Sequence, residues 1–357
     1  MKAIFILVPS MVPTGPIKGA VALANFLVDK QAVTLVSVKK GPGCSAFIDE
    51  RIKCICLAQG SSGTYRKVNR YKTLLLESGS RVDVASISFC FSADLINSFC
   101  SAYAITCSSV RGNLIKIYRM DYGLIGLPVA ILHLVALFRF DKVVAMSAAM
   151  AKQIKFFSSK ESSVVGNFVD ETSLSKYKNT KENTFQLVKR FVFVGSISER
   201  KNPLLLVRTI KKLRDDGHNV ELDLIGEGPL MEEVISEIKL LELERTVVIH
   251  GHLADPYPVI TKADVFVLPS MSEGTSRASL EALYLGLPCV LRDIDGNSEL
   301  ITKGVNGSLF SRDERLPLSM LEALEVASGN GDRDSFLPNF YRQSRSAEKY
   351  LEIVSNT

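Results

Sequence analysis

Only four histidines and seven cysteines occur in 357 residues, and the sequence contains no C-x-x-C pair. Cys44, Cys54, Cys56, Cys90, Cys100, Cys107 and Cys289 are thinly spread, with no paired histidines nearby, which argues against a disulfide framework or a zinc site. An odd count in a chain of this length reads as free thiols in a reducing compartment. The longest apolar stretch, Leu124 to Phe138, contains Gly126, Pro128 and His133, and it falls short of the roughly 20 residues that a spanning helix needs. A secretion signal is not expected either. Pro9, Pro13, Gly15, Pro16 and Lys18 interrupt the first apolar run, and no small-residue cleavage site follows it. The expectation is a cytoplasmic chain, free or peripheral on the inner face of the plasma membrane. No internal repeat or low-complexity tract is present. No G-x-G-x-x-G follows a strand, which removes the support for an oxidoreductase built on a dinucleotide-binding half. Basic residues interleaved with aromatics are absent too, so nucleic acid is not an expected partner.

What remains is an ordinary globular composition, 46% hydrophobic and 23% charged, which excludes a disordered or fibrous chain, and the length suggests two domains. The net charge of +5 is unevenly placed. Residues 1–165 hold 20 Lys and Arg against 9 Asp and Glu, a net +11, whereas the remainder holds 23 against 29, a net −6. A basic half suits nucleic acid, an anionic membrane surface or a phosphorylated ligand, and charge alone does not choose. The stretch Leu124 to Phe138 leaves two readings: a buried helix, or a helix that dips into a membrane interface with Arg119, Arg139 and Lys142 at its flanks.

Along the chain, strand-type and helix-type segments alternate, which predicts βαβ units and parallel sheets. The first half opens with the strand Ala3 to Val8, a turn-rich loop to Gly19 and a helix from Ala20 to Asp29. After a polar linker near Gly166 to Lys189 the pattern restarts at Phe191. Pro203 and Pro229 stand where proline suits a helix start, and Gly217 and Gly286 where a helix should stop. The expected organisation is an N-terminal domain over 1–168, a second domain over 169–335, and a C-terminal helix within 336–357 that packs back on the first domain. Both domains read as α/β, doubly wound and Rossmann-like.

The most informative segment runs from Asp264 to Val290. An apolar strand ends at Pro269, a loop of small residues follows, and Glu281 stands on a helix eight positions after Glu273 on the loop. Gly274, Thr275, Ser276 and Arg277 form the helix entrance, where free backbone N–H groups and the helix dipole favour an anion. Carboxylates accept hydrogen bonds from sugar hydroxyls, so the set suits a diphosphate joined to something rich in hydroxyls. A solvated pair of glutamates with a serine helix cap is the plainer reading of the same residues. Arg200 and Lys201 lie beyond another strand end, where cations can neutralise charge on a departing phosphate. Two further motifs carry less. Asp293 and Asp295 spell D-x-D inside a DGN turn and read as turn chemistry. His250 and His252 have no third metal ligand and read as a satisfied loop pair near a nucleotide base.

The pattern P-S-x-x-E-G-x-S-x-x-x-L-E-A-x-x-x-G-x-P-x-V resembles the E-x7-E signature of retaining glycosyltransferases of family 4. Gly15 to Ala20, Val165 to Asp170, Val194 to Pro203, Ile225 to Leu230 and Asp295 to Ile301 follow in the order expected of that family. The likeness is strongest over roughly residues 165–310. It implies the GT-B fold, two Rossmann-like domains facing across a cleft, the first (1–168) binding the acceptor and the second (169–335) the nucleotide sugar, and metal-independent catalysis without a cofactor. It implies that Glu281 binds the donor ribose and that Glu273 lies beside the transferred sugar as the catalytic residue. Thr275 and Ser276, with Gly274, would present backbone N–H groups to the diphosphate, and Gly15, Ser196, Arg200 and Lys201 would complete the donor contacts. Many family members carry an arginine where this chain has Ser196, so Arg200 and Lys201 would share that role. Lys18 and Arg111 would meet acceptor or phosphate. The implied partners are a nucleotide sugar, with UDP favoured by family precedent, and a saccharide acceptor on undecaprenyl diphosphate at the cytoplasmic membrane face, as in O-antigen or capsule assembly. A nucleotide-sugar epimerase of the same fold and a catalytically silent binding protein are the competing readings.

Overall fold

In the computed structural model the described residues are 2–12, 14–41, 48–59, 63–178, 187–294, 296–331 and 333–355. They divide into two units, Met1–Asp170 with Asn339–Thr357, and Glu171–Pro338. In the first unit β1 (Ala3–Val8), α1 (Gly15–Leu27), β2 (Ala32–Ser37) and β3 (Lys53–Cys56) are followed by α2 (Thr64–Ser78), β4 (Val84–Phe89) and α3 (Phe91–Asn97). Then come β5 (Ile105–Val110), α4 (Leu114–Tyr122), α5 (Gly126–Leu137), β6 (Lys142–Ala145), α6 (Ala148–Ser158) and β7 (Ser163–Val164). All seven strands are parallel, in the order β3-β2-β1-β4-β5-β6-β7. Ile4, Ile6, Leu35 and Ile87 from the strands pack with Leu23 and Leu27 of α1 in one continuous core, because a parallel sheet covered by helices buries its strands on both faces.

Helix α1 begins five residues earlier than the sequence pattern predicts. Pro16 occupies its first turn, where a fixed φ and a missing N–H suit a helix start, so Gly15 and Lys18 stand in the opening turn of a helix and not in a loop. The apolar stretch from Leu124 is a short turn followed by α5, not one helix. Close approach of α4 and α5 explains the glycine between them: a Cβ on Gly126 would fall 1.8 Å from the Tyr118 carbonyl oxygen. Among the described residues no helix is long and apolar enough to cross a membrane.

The second unit contains α7 (Glu171–Ser175), β8 (Lys189–Val194), α8 (Pro203–Asp215), β9 (Val220–Ile225), α9 (Met231–Leu240) and β10 (Val247–Gly251). It continues through α10 (Tyr257–Ile260), β11 (Val265–Leu268), α11 (Arg277–Tyr284), β12 (Cys289–Arg292), α12 (Asn297–Leu300), β13 (Gly307–Phe310) and α13 (Leu316–Gly329). Its six strands are parallel in the order β10-β9-β8-β11-β12-β13. Helix α8 shows why these segments are helices at all. Leu206, Val207, Ile210 and Leu213 share one buried stripe while Arg208, Lys212 and Arg214 face water.

The last helix, α14 (Gln343–Ser355), belongs to the first unit. Ala347, Tyr350 and Val354 enter the core under α1, Gln343 donates to the Ala22 carbonyl at 3.1 Å, and the Tyr350 and Ser109 hydroxyls meet at 2.6 Å.

Candidate active site

In an open parallel sheet the crevice for a ligand lies at the carboxyl ends of the strands where the winding direction reverses. In the second unit that point is β8, whose neighbours are β9 on one side and β11 on the other. The loops leaving β8 and β11 contain Ser196, Arg200, Lys201, Glu273, Gly274, Thr275 and Ser276. Fold alone therefore places these candidates at one end of one sheet.

The loop after β8 is shaped by backbone. Gly195 N–H donates to the Ile225 carbonyl at 3.0 Å, Ile197 N–H to the Glu227 carbonyl at 2.9 Å, and Leu230 N–H to the Ile197 carbonyl at 3.0 Å. This stacking demands glycine in the β9 loop. Gly226 has φ +139°, and a Cβ there would lie 1.8 Å from the Gly195 carbonyl oxygen, while one on Gly228 would lie 2.3 Å from that of Ile197. A single helical turn over Glu199–Lys201 then presents Arg200 and Lys201. Met271 N–H donates to the Arg200 carbonyl at 2.8 Å and ties this turn to the loop after β11.

Glu273 is buried between the two cations. Lys201 Nζ is ion-paired and hydrogen-bonded to Glu273 Oε1. Arg200 Nη1 lies 3.4 Å from the same oxygen and 3.2 Å from the Ser272 carbonyl oxygen. Burial pushes the Glu273 carboxyl up, but the charges of Lys201 and Arg200 outweigh it, helped by the hydrogen bond from Lys201, so the group stays below its ordinary value. The cluster thus holds one fixed carboxylate and two cations, a net single positive charge beside the entrance of α11. Lys201 has three N–H donors and Glu273 engages one of them, which leaves the ammonium able to meet a second anion. Ser196 is exposed, its hydroxyl 3.0 Å from that of Ser198.

Ser276 caps α11, its hydroxyl accepting from Ser279 N–H at 3.4 Å. Gly274, Thr275 and Ser276 are buried. The turn before α12 braces them: a Cβ on Gly296 would stand 1.6 Å from the Gly274 carbonyl oxygen. One turn into α11, Glu281 is buried and receives Arg277 Nε at 3.2 Å. Tyr257, at the start of α10, lies within hydrogen-bonding reach of the same carboxylate; burial first, then the Glu281 charge, push its hydroxyl far up, so it stays protonated. Tyr177 packs on Tyr257 with ring centroids 5.0 Å apart. Neither tyrosine is visible as a site residue in the sequence. The available signal for Tyr257 is its place at a helix start just beyond β10, and Tyr177 has no such signal.

His250 is placed differently from expectation. It is a strand residue and not a loop residue, and its Nε2 meets Asp223 Oδ1 at 2.7 Å, with Arg190 3.6 Å from the other oxygen. Asp293 accepts hydrogen bonds from Ser298 and Ser311, as a turn aspartate does. Asp295 lies outside the described residues, as does Cys44.

In the first unit, Gly15 is exposed with open space beside it, and Lys18 follows one turn on, its N–H bonded to the Thr14 carbonyl at 2.9 Å. Arg111 follows β5, donates to Asn167 Oδ1 at 3.1 Å and stacks 5.0 Å from the Phe89 ring centre. These three residues belong to one unit and the Glu273 cluster to the other.

Residues 188–326 match the family of glycosyl transferases group 1, and they include every element of the Glu273 cluster. That likeness to the group 1 glycosyl transferases covers 139 of the 357 residues. Over 140 residues it is 31% identical to the UDP-Gal:alpha-D-GlcNAc-diphosphoundecaprenol alpha-1,3-galactosyltransferase of Escherichia coli, covering 38% of this chain and 35% of that protein. Over 226 residues it is 24% identical to the O-antigen biosynthesis glycosyltransferase WclY of Escherichia coli, covering 61% and 62%. The chain therefore spans between about a third and three-fifths of the length of these curated relatives. Among solved structures, HepE of Anabaena in complex with UDP superposes with a TM-score of 0.78 at 17% identity over 100% of both chains. TarM does so with a TM-score of 0.77 at 14% identity over 100% and 99%. The segment matched by that family and the sheet that precedes it have the GT-B fold.

Proposed function

We propose that the chain is a retaining glycosyltransferase of family 4 type. It moves a hexosyl or N-acetylhexosaminyl unit from a UDP-linked donor to a hydroxyl of a saccharide carried on undecaprenyl diphosphate, at the cytoplasmic face of a bacterial membrane, in O-antigen or capsule-type assembly. The observation that carries this reading is the buried Glu273 carboxylate held between Lys201 and Arg200 at the switch point of the sheet, beside the entrance of α11. The relatives support the rest: one is named for a UDP-sugar and a diphosphoundecaprenol acceptor, and a structural neighbour was solved with UDP.

In this reading Lys201, Arg200 and the N–H groups of Thr275 and Ser276 hold the diphosphate, and Glu281 accepts hydrogen bonds from the ribose. The bond from the anomeric carbon to the phosphate oxygen breaks with its electron pair going to phosphate. The acceptor oxygen attacks from the same face, and its proton passes to the departing phosphate, leaving the nucleoside diphosphate and the new glycoside. Glu273, kept ionised by its cations, orients the sugar and steadies the positive charge that develops on the ring. No metal or cofactor enters this scheme. Glu273→Gln tests it: UDP should still raise the melting temperature of the variant, while turnover of the donor should fall about 100-fold to 1,000-fold, the loss typical of one electrostatic group aimed at a transition state. Near-normal turnover would sink the assignment.

A further inference from the structure

The outer face of α5 sets this chain apart from an ordinary two-layered domain. Leu124 and Ile125 in the preceding turn are 88% and 73% exposed, and Leu127, Ile131, Leu132, Val135 and Phe138 are each about half exposed. Between Asp121 and Arg139 the sequence has no charged residue. Leu124, Leu127, Ile131, Val135 and Phe138 recur three or four residues apart and so share a side. The opposite side of α5 is also apolar: Leu134 and Leu137 pack with Met150 and Ile154 of α6. A surface helix normally turns polar residues to water, and this one does not. On α6, Phe157 lies one turn beyond Ile154 and is half exposed, next to Phe156 at 80%. From these exposures the turn and the α5 face together offer roughly 700 Å² of surface, above the roughly 300–600 Å² of a soluble monomer's largest apolar patch.

The core locks that face outward. His133 is the one ionisable residue in α5 and it is buried. Its Nε2 meets Asp94 Oδ2 at 2.7 Å and its Nδ1 meets the Tyr118 hydroxyl at 2.9 Å. Ser88 donates to the other Asp94 oxygen at 2.6 Å. Rolling α5 to hide its leucines and isoleucines would pull His133 from both partners and strip the buried Asp94 of its imidazole neighbour.

The segment that bears the face is basic. Residues 111–161 contain eight Lys and Arg against two Asp and one Glu, and that Glu161 is paired with Lys155 at 2.7 Å. One of those aspartates, Asp141, is already taken by Arg81 at 2.6 Å and by the Thr106 N–H at 2.8 Å. Two copies joined through this face would bring two basic segments together, whereas acidic headgroups complement them. We propose that the outer face of α5 and the turn before it seat this chain on an anionic lipid bilayer. The link to catalysis rests on the glycosyltransferase reading: Arg111 precedes α4 by three residues in the same unit, so a lipid-linked diphosphate would lie at headgroup level near it.

Flotation of the full chain, without nucleotide, on phosphatidylcholine vesicles with and without phosphatidylglycerol tests this surface. The wild type should float with the anionic vesicles, less so at high salt. Ile131→Gln/Val135→Gln/Phe138→Gln should lower the bound fraction at least about tenfold, and Arg119→Gln/Arg139→Gln should lower it by roughly fivefold per charge at low salt. All five side chains are exposed, and an unchanged melting temperature and UDP shift would show that each variant is folded. A wild type that stays unbound at low salt overturns the proposal. So does a triple variant that floats normally, or a wild-type dimer that the triple variant dissociates. Flotation without any UDP shift would instead refute the donor reading and leave the surface standing.

Discussion

Lys201→Met is the sharpest probe of the cluster, because it leaves a buried carboxylate with half of its compensation. Removing one partner of a fully buried ion pair costs about 3–5 kcal/mol. The Lys201 and Glu273 side chains are 12% and 10% exposed, and Arg200 remains 3.4 Å from the same oxygen, so some water and one cation still reach it. A cost of about 2 kcal/mol is therefore expected, or about 4–8 °C in melting temperature for a unit of this size. A double-mutant cycle with Glu273→Gln isolates the pair, since removing the lysine charge beside a neutral amide breaks no ion pair, and the coupling should be about 1.5–2 kcal/mol near neutral pH. The pH dependence has a definite sign. The folded carboxyl titrates below its ordinary value of 4.5, so the stabilisation is complete above that value and disappears as pH falls through the lower folded one. Without Lys201 the carboxyl should titrate higher than in the wild type, with Arg200 still opposing the effect of burial. Thermal melts of the four proteins across the acid range measure both effects. A coupling under about 0.5 kcal/mol, or one that persists unchanged after acidification, would refute the assignment of Lys201 as the main partner of Glu273.

Two further outcomes follow from contacts around α11. Gly296→Ala places a methyl 1.6 Å from the Gly274 carbonyl oxygen, so the loop carrying Glu273 must shift; chemical denaturation should show a loss of about 1–3 kcal/mol, with weaker UDP binding, and wild-type values for both would remove Gly296 from the site's support. Tyr257→Phe removes a hydroxyl beside Glu281 and should weaken UDP affinity about fivefold to tenfold in a thermal-shift titration, with Glu281→Ala weakening it more; equal affinity in both variants and the wild type would detach Glu281 from the donor.

Much of the fold is legible in the sequence because each βαβ unit announces itself locally. The run VELDLIG, the proline before Leu204 and the glycine after Asp216 are signals within a few residues of the elements they bound, and β9 and α8 stand there. The start of α1 escapes for the same local reason: Gly15 and Pro16 look like loop residues until the first turn of a helix accommodates both. Glu273 and Glu281 are found through their spacing. The partners of Glu273 are not, because the Lys201–Glu273 pair spans 72 positions, and nothing in SERKNP indicates that its cations meet a carboxylate as well as any phosphate. Gly226, Gly228 and Gly296 stand out as turn residues, yet the carbonyl oxygens they make room for belong to other loops. His250 departs from its expected place because its pairing with Asp223 on the neighbouring strand depends on register, which composition does not carry.

The uneven charge of the chain separates into two physical uses. In the second unit the cations that matter are few, largely buried and already balanced against a carboxylate, so they act over a few ångströms and salt screens them little. In the first unit about half of the surplus falls along α4 to α6, the elements next to an apolar face, where its effect is additive, long-ranged and salt-sensitive. Donor binding and vesicle binding should therefore respond differently to ionic strength. Raising salt from low to physiological levels should strip the chain from anionic vesicles while leaving most of any UDP affinity in place, and parallel loss of the two would mean that a single basic surface serves both ligands.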